Sequence, residues 1–208
     1  KYMHYCFLFM LGSSLLFADD VAYTQVREIR RLAKAEALQH ATLVLEGLVT
    51  FAHSGTDFQF ILDDGEEGIR CVLPESTEHR ALHDTLLQQS ANLRIGCHLR
   101  IRGVTDFSKY APVVQVRDIH VLGKRDLPPP KRPTLEELFS GTMESQYIQV
   151  EGVVRFAKKE KESLLLQIGT LFDRYQVVID PAPEISIEKL PDAKIRVVGC
   201  LIPICNAG

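Results

Sequence analysis

The chain has 208 residues, 46% of them apolar, and its 24 Lys and Arg against 27 Asp and Glu leave a formal net charge of −3. That length suits one large domain or two small ones, and the composition is that of an ordinary globular protein. No basic excess exists to neutralise phosphates, which argues against a nucleic-acid partner.

The first residues are unlike the rest. Tyr2 to Ala18 is an almost unbroken apolar run, preceded by Lys1 and followed by Asp19 and Asp20. Its apolar stretch is long enough for the core of a signal peptide but shorter than the roughly 20 residues of a membrane span. Ala18 is a small residue at a plausible cleavage point, although Leu16 is a poor residue two positions before it. Residues 1–18 are therefore read as a signal peptide, with a membrane anchor or a buried element as alternatives. The chain opens on Lys, so the true start is expected upstream. Cys6 belongs to this leader, and Cys71, Cys97, Cys200 and Cys205 show neither a CxxC nor a zinc-like spacing. Buried free thiols are expected at Cys71 and Cys97, and a disulfide between them would require facing strands.

Residues 19–41 form a lead-in. Val26, Ile29, Ala33 and Ala37 recur at a helical period, but a short entry strand before a helix at Ala33–Gln39 fits equally well. A β module is expected over 42–123. Leu43, Leu45, Gly47, Val49 and Phe51 alternate with Val44, Glu46, Leu48 and Thr50, as a half-buried strand requires. Gly47 in mid-strand marks a bulge or sharp bend of the kind a small barrel needs to close. After a polar turn at His53–Thr56, Phe58, Phe60 and Leu62 make the apolar face of a second strand. Asp63 to Gly68, DDGEEG, is a hairpin connection leading to a third strand, Ile69–Leu73.

Pro74 ends that strand, and Glu75–Ala91 reads as a helix capped by Ser76 or Thr77, with Leu82, Leu86 and His79 on the face that plugs a barrel end. Leu93–Thr105 is a fourth strand with Ile95, Cys97, Leu99, Ile101 and Gly103 on one face. DFSKYAP is a loop, and Val113–Leu122 is a fifth strand with an irregularity near Arg117 and Asp118. Three strands, a helix and two strands is the order of the OB-fold, a five-stranded Greek-key barrel. Another small barrel with an inserted helix is the alternative.

Residues 124–146 are a linker. Consecutive prolines favour an extended spacer, and Thr134 with Glu137 forms a capping box for a short helix that Gly141 stops. From Tyr147 the first strand returns: Ile148, Val150, Gly152, Val154 and Phe156 repeat its spacing. A charged turn at Lys158–Glu162 and strands at Leu164–Ile168 and Tyr175–Ile179 follow. Pro181–Asp192 holds a short connection in place of the helix, and Ile195, Val197 and Gly199 echo Leu99, Ile101 and Gly103. Nine residues follow Gly199, too few for a loop and a fifth strand. The expected fold is all-β with minor helix: two tandem OB-fold-like five-stranded β-barrel modules, the second (147–208) truncated at its C-terminus in a chain that continues.

Catalytic signals are few. His79 and His83 stand four apart on the expected helix, a metal-compatible spacing with no third ligand placed, and a packed or solvated helix face is the plainer reading. The acidic hairpin lacks the ligand periodicity of a calcium loop and reads as a solvated tip. No nucleophile elbow, HExxH, P-loop or kinase motif is present, and no cofactor is implied. Binding is the better expectation. OB barrels present ligands to the second and third strands and the flanking loops. That places His53, Gln59, Arg70, Phe107, Lys109 and Tyr110 as candidate ligand-binding residues, two aromatics and two cations suited to a small anionic or ring-containing ligand. The plainer alternative is that Phe107 and Tyr110 cap the barrel mouth.

The segments VREIRRLAKAEALQHATLVLEGLVTF, FQFILDDGEEGIRCVLP and IRGVTDFSKYAPVVQVRDIHVLGKRDLPPPKRPTLEEL closely resemble a family of exported tandem OB-like modules. These modules lie N-terminal to the membrane helix of bacterial sensor histidine kinases and sometimes of diguanylate cyclases. The resemblance covers nearly all of the chain after its leader. It implies a periplasmic sensory region of a two-component signalling protein, held in the inner membrane by a downstream helix or by the N-terminal segment. The implied partner is a small ligand or a periplasmic protein, with a homodimer of the full-length protein compatible. Kinase activity would reside in parts not contained in this sequence. A secreted accessory module that binds carbohydrate or protein is the alternative, ahead of an OB protein for single-stranded nucleic acid, which needs a basic groove with stacking aromatics.

Overall fold

The computed structural model describes residues 21–53, 58–74, 79–90, 92–169 and 174–202. The leader expected at 1–18 lies outside the described residues, as do most of the polar turn at 54–57 and the helix caps Ser76 and Thr77. Among the described residues no helix is long and apolar enough to cross a membrane. The architecture is predominantly β, with a few short helices.

Two short helices, α1 (Val26–Arg30) and α2 (Lys34–Ala37), form the lead-in, and Tyr23 bridges to Leu43 before them. The segment VREIR, for which an entry strand was the alternative, is therefore helical, and the extended bridge lies before it at Tyr23. The first module contains β1 (Thr42–His53), β2 (Gln59–Asp63), β3 (Gly68–Val72), α3 (Arg80–Ser90), β4 (Cys97–Phe107) and β5 (Pro112–Lys124). Its strands pair in a closed ring, β1-β2-β3-β5-β4, with β4 returning to β1 and a parallel contact between β3 and β5. This is the strand order and helix position of the OB arrangement. Leu43, Leu45, Val49, Phe60, Leu62, Ile69, Cys71, Leu99, Ile101, Val114 and Val116 fill the interior, with Leu86 of α3 and Val26 and Ile29 of α1 joining that core. Cys71 and Cys97 are both buried and free, so no disulfide joins them.

Long β1 serves both halves of the ring: Thr42–Leu48 pairs with β4 and Leu48–His53 pairs with β2. Its bulge lies between Val49 and Phe51, at Thr50, and not at Gly47. The extra residue rotates the following side chains, so Phe51, expected on the inner face, is only half-buried and Ala52 packs on the core. Gly47 has a different duty, since a Cβ there would collide with the Asp63 carbonyl. Ile95, expected on the inner face of β4, precedes the strand in a turn and is 58% exposed. The irregularity expected in β5 is present, with Arg117 standing out of register between Val116 and Asp118.

After β5 an extended segment leads to α4 (Leu135–Phe139), where Thr134 Oγ1 accepts from the Glu137 N–H and the Glu137 carboxylate accepts from the Thr134 N–H. This is the expected capping box. The second module contains β6 (Tyr147–Glu160), β7 (Ser163–Gly169), β8 (Arg174–Ile179), a 3-10 turn at Ile187–Lys189 and β9 (Lys194–Cys200). Its register copies the first. Tyr147 faces Cys200 as Thr42 faces Val104, and β6 is bulged between Val154 and Phe156 as β1 is between Val49 and Phe51. Among the described residues it is a four-stranded sheet, β8-β7-β6-β9; the second module was expected truncated, and a second five-stranded barrel is not shown. Val154, Leu164, Leu166 and Ile168 form its core, with Ile187 and Leu190 beneath.

At Gly103 the backbone of β5 leaves no room for a side chain on β4. A Cβ at that position would stand 2.5 Å from the Gln115 carbonyl oxygen, so Gly103→Ala has to push two paired strands apart. Such overpacking costs about 1–3 kcal/mol, and urea denaturation should show the midpoint lowered accordingly with an unchanged slope.

Candidate functional site

The candidate ligand face is the outer surface of β1, β2 and β3. Strand alternation sends Phe60, Leu62, Ile69 and Cys71 inward, which leaves Gln59, Ile61, Arg70 and Val72 outward. Cross-strand pairing places His53 beside Gln59, Gln59 beside Val72, and Ile61 between Phe51 and Arg70. Three of the predicted residues, His53, Gln59 and Arg70, therefore share one surface.

That surface is roofed by the rest of the chain. Ile61, although outward-facing, is only 1% exposed. The carbonyl of Ser145 lies over Gly68, so close that a Cβ there would strike it. The Gln146 amide grips the same residue from both sides: its Oε1 accepts from the Gly68 N–H at 3.4 Å and its Nε2 donates to the Gly68 carbonyl at 3.2 Å. Lys131 Nζ donates to Gln146 Oε1 and to the Glu66 carbonyl, both at 2.6 Å. Farther along, Cys200 Sγ donates to Thr50 Oγ1 at 3.4 Å, and His53 Nδ1 stands 3.9 Å from the Asp180 carboxylate. Arg70 lies at this face with its Nε buried and, among the described residues, without a hydrogen-bond partner.

The acidic hairpin, expected as a solvated tip, is the anchor of this roof. Asp64 accepts from the N–H groups of Val26, Glu66 and Glu67. Glu67 pairs with Arg30 Nε at 2.9 Å, and the same guanidinium donates to the carbonyls of Gly68, Glu144 and Thr142. Sequence reasoning missed Arg30, Lys131 and Gln146. One signal was available: six turn formers and acids in DDGEEG offer many acceptors, while two polar residues just before the second repeat needed partners.

Phe107, Lys109 and Tyr110 form a separate group around the β4–β5 turn. Lys34 Nζ lies 5.8 Å from the centre of the Phe107 ring, and Lys109 Nζ lies 5.3 Å from that of the half-exposed Tyr110. The six predicted residues therefore fall into two clusters. On the opposite β4–β5 surface, Arg100, Arg102, Asp118 and His120 line a shallow depression of about 220 Å³, smaller than the roughly 300–1,000 Å³ of small-molecule pockets. His83 Nδ1 is engaged with the Pro74 carbonyl at 2.8 Å, and His79 is exposed. Among the described residues no three His, Cys, Asp or Glu side chains converge as metal ligands.

Burial sets the electrostatics of the joint. It pushes the Asp63 carboxyl up, against the lowering pull of the Gly65 N–H and Lys131. It likewise pushes the Cys200 thiol up to about 11, so the contact with Thr50 is made by a neutral S–H.

No family model matches the chain, and no curated protein matches it. Solved structures do. An OBody, AM1L10, bound to hen egg-white lysozyme is 20% identical over 46% of this chain and 94% of its own, with a TM-score of 0.38. Aspartyl-tRNA synthetase from Entamoeba histolytica is 15% identical over 64% of this chain and 28% of its own, at 0.43. Asparaginyl-tRNA synthetase from Pyrococcus horikoshii is 13% identical over 48% and 24%, at 0.36. The chain thus spans about a quarter of the length of these synthetases.

Two outcomes test the joint. Arg30→Met removes the partner of Glu67 and one donor each from the carbonyls of Gly68, Glu144 and Thr142, of which Gly68 keeps Gln146 Nε2, and losing charge-assisted, part-buried bonds of this kind costs about 1–3 kcal/mol. Hydrogen exchange should show faster amide exchange at Gly68 and at Thr142–Gln146, with β4 and β5 unchanged. Asp63 has a folded pKa raised above its unfolded value, so its stabilising contribution is full below the unfolded pKa and is lost as pH rises through the folded one. Asp63→Asn should therefore raise the melting temperature relative to the parent at pH 7, and the gap should close as pH falls toward 4.

Proposed function

We propose that this chain is the exported sensory or interaction region of a membrane-bound bacterial signalling protein of the sensor histidine kinase kind, non-catalytic over these residues. In this reading residues 42–123 and 147–208 are tandem OB-like modules, the second an incomplete five-stranded barrel, and the region acts in the periplasm. What recommends it first is the likeness of the DDGEEGI hairpin and the GVTDFSKYAPVV segment to that family's modules. The observation that carries it is the joint, in which Arg30, Lys131 and Gln146 tie the lead-in, the first hairpin and the start of the second module together. A sensor must convert binding into a change of geometry, and a polar joint made of directional contacts has discrete ways to break.

The face that OB domains use for ligands is roofed here chiefly by the linker residues Lys131, Ser145 and Gln146, with Asp180 and Cys200 of the second module at its edge. In this reading a small ligand or periplasmic protein that engages the partly exposed His53, Gln59 and Arg70 competes with those contacts, which couples occupancy to module orientation. The turn bearing Phe107, Lys109 and Tyr110 offers a second, open contact.

A phosphatase reporter that is active only after export, fused behind Gly208, tests the cellular side. Activity is expected with residues 1–18 present and should vanish when they are deleted. An inactive reporter on the intact chain overturns export. A gene whose next several hundred codons hold neither a membrane span nor a signalling domain overturns the kinase assignment.

A further inference from the structure

Arg70 is the middle residue of β3, and strand alternation sends its side chain to the outer face while Ile69 and Cys71 fill the core. Its Nε is buried, and among the described residues no hydrogen bond or ion pair engages its guanidinium. Guanidiniums elsewhere on the strand surfaces are paired: Arg100 with Glu46, Arg155 with Asp192 and Arg196 with Glu151. The carboxylates of the adjoining hairpin have other partners. Asp63 accepts from the Gly65 N–H, Asp64 from the Val26 N–H, and Glu67 pairs with Arg30. Asp180 faces His53. A buried charged donor without an acceptor is costly, and a group of this kind calls for a water, an ion or a ligand. A water would satisfy the bond but leave the charge.

Strand pairing sets what surrounds this cation. Ile61 stands directly across from Arg70, with Phe51 beyond it, and the next outward row is Val72, Gln59 and His53. Ile61 is 1% exposed, while Phe51, Gln59, Arg70 and Val72 are all partly exposed. The face therefore offers one positive charge, a neutral amide on the neighbouring strand and an apolar floor between them. Arg70 also lies two residues along β3 from Gly68, whose N–H and carbonyl are held by Gln146.

We propose that Arg70 binds the carboxylate of a small organic monoanion, whose carbon body lies over Ile61 and Val72 with Gln59 in reach of a polar substituent. The Nε–H and one Nη–H of a guanidinium form a parallel pair that matches the two oxygens of a carboxylate. One guanidinium balances one charge. A phosphate dianion would bring a second negative charge to a face where the Asp180 carboxylate already stands 3.9 Å from His53. The apolar floor favours a carbon body over a bare inorganic ion. This inference rests on the reading that the outer face of β1, β2 and β3 receives a ligand, and it is independent of export and of any kinase.

The isotope-labelled 208-residue chain is titrated with sodium propionate and with sodium benzoate, with inorganic phosphate and chloride as controls at matched ionic strength. The readout is the nuclear magnetic resonance signal of the Arg70 Nε–H, assigned by its loss in Arg70→Met. Both carboxylates should shift it saturably, and phosphate should bind about tenfold more weakly. Arg70→Met keeps the apolar stem and removes the unmatched charge, so its melting temperature without ligand should equal or exceed the parent's. In that variant the carboxylate-induced shifts of the Gln59 and Val72 amides should vanish, and Arg70→Lys, which keeps the charge without the fork, should not restore them. No saturable shift at about 100 mM carboxylate, or equal shifts in R70M, overturns the proposal, and phosphate binding as tightly as carboxylate overturns the ligand class. Amide exchange at Gly68 and Gln146 in the same titration separates the two readings. A saturable Arg70 shift with unchanged exchange supports the carboxylate site and overturns its coupling to the joint.

Discussion

Everything in the arrangement of this chain depends on how one glycine of a tight hairpin is held. Gly68 offers an N–H and a carbonyl at the start of β3, and both are taken by a single Gln146 amide from a residue 78 positions away in sequence. A side-chain amide here does what a neighbouring strand would do, and it does so at the one place where the Ser145 carbonyl leaves no room for a Cβ. Each such bond is worth roughly 1 kcal/mol net, and a buried one left unmade costs more. Surrounding it, the Arg30 guanidinium and the Lys131 ammonium donate to carbonyls on both sides of the boundary. Charged donors in part-buried bonds contribute more than neutral ones. The joint is therefore directional, and directional contacts fix an angle in a way that apolar packing alone does not.

The same joint explains why the outer face of the first barrel is a poor open pocket. An OB surface of this kind needs exposed strands, and here Ile61 is covered and Thr50, Asp63 and Gln146 are buried polar groups. Burial of Asp63 works against the charged carboxylate, while Gly65 and Lys131 work for it. Arg70 retains a buried donor with no acceptor among the described residues. Such groups at a boundary between modules cost stability there. Local opening favours the least stable contacts, so amide exchange at this boundary is the measure of how firmly it is held.

Most of the strand grammar was legible from residue patterns. Period-2 alternation in TLVLEGLVTF and FQFIL, the Thr134–Glu137 capping box and the break near Arg117 are all local effects, and each appears where its chemistry places it. Phe51 and Ile95 were misplaced for a shared reason. A bulge or an unpaired lead-in changes the face of every following side chain, and nothing local in VTFAH announces that the extra residue is Thr50. Candidate ligand residues were harder still. His53, Gln59 and Arg70 do share a surface, as strand parity requires, but what covers that surface comes from residues 130 to 200, and long-range burial leaves no mark on the short segment that suffers it. Arg30 and Gln146 look like ordinary surface residues until their partners are known.

The repeat is more informative than either module alone because it separates what a strand needs from what its neighbours need. Gly47 and Gly152 both face obstruction from the adjoining strand, so that glycine belongs to the module's own closure. At Gly103 a Cβ would strike the Gln115 carbonyl of β5, whereas at Gly199 no atom of the described residues lies within 4 Å of the Cβ position. The same contrast holds for the half-buried valines and isoleucine of β8 and β9 against the sealed interior of β3 and β4. Among the described residues the larger sealed core lies in the first barrel, and the Gly68 clamp is where the chain just before β6 is fastened to it.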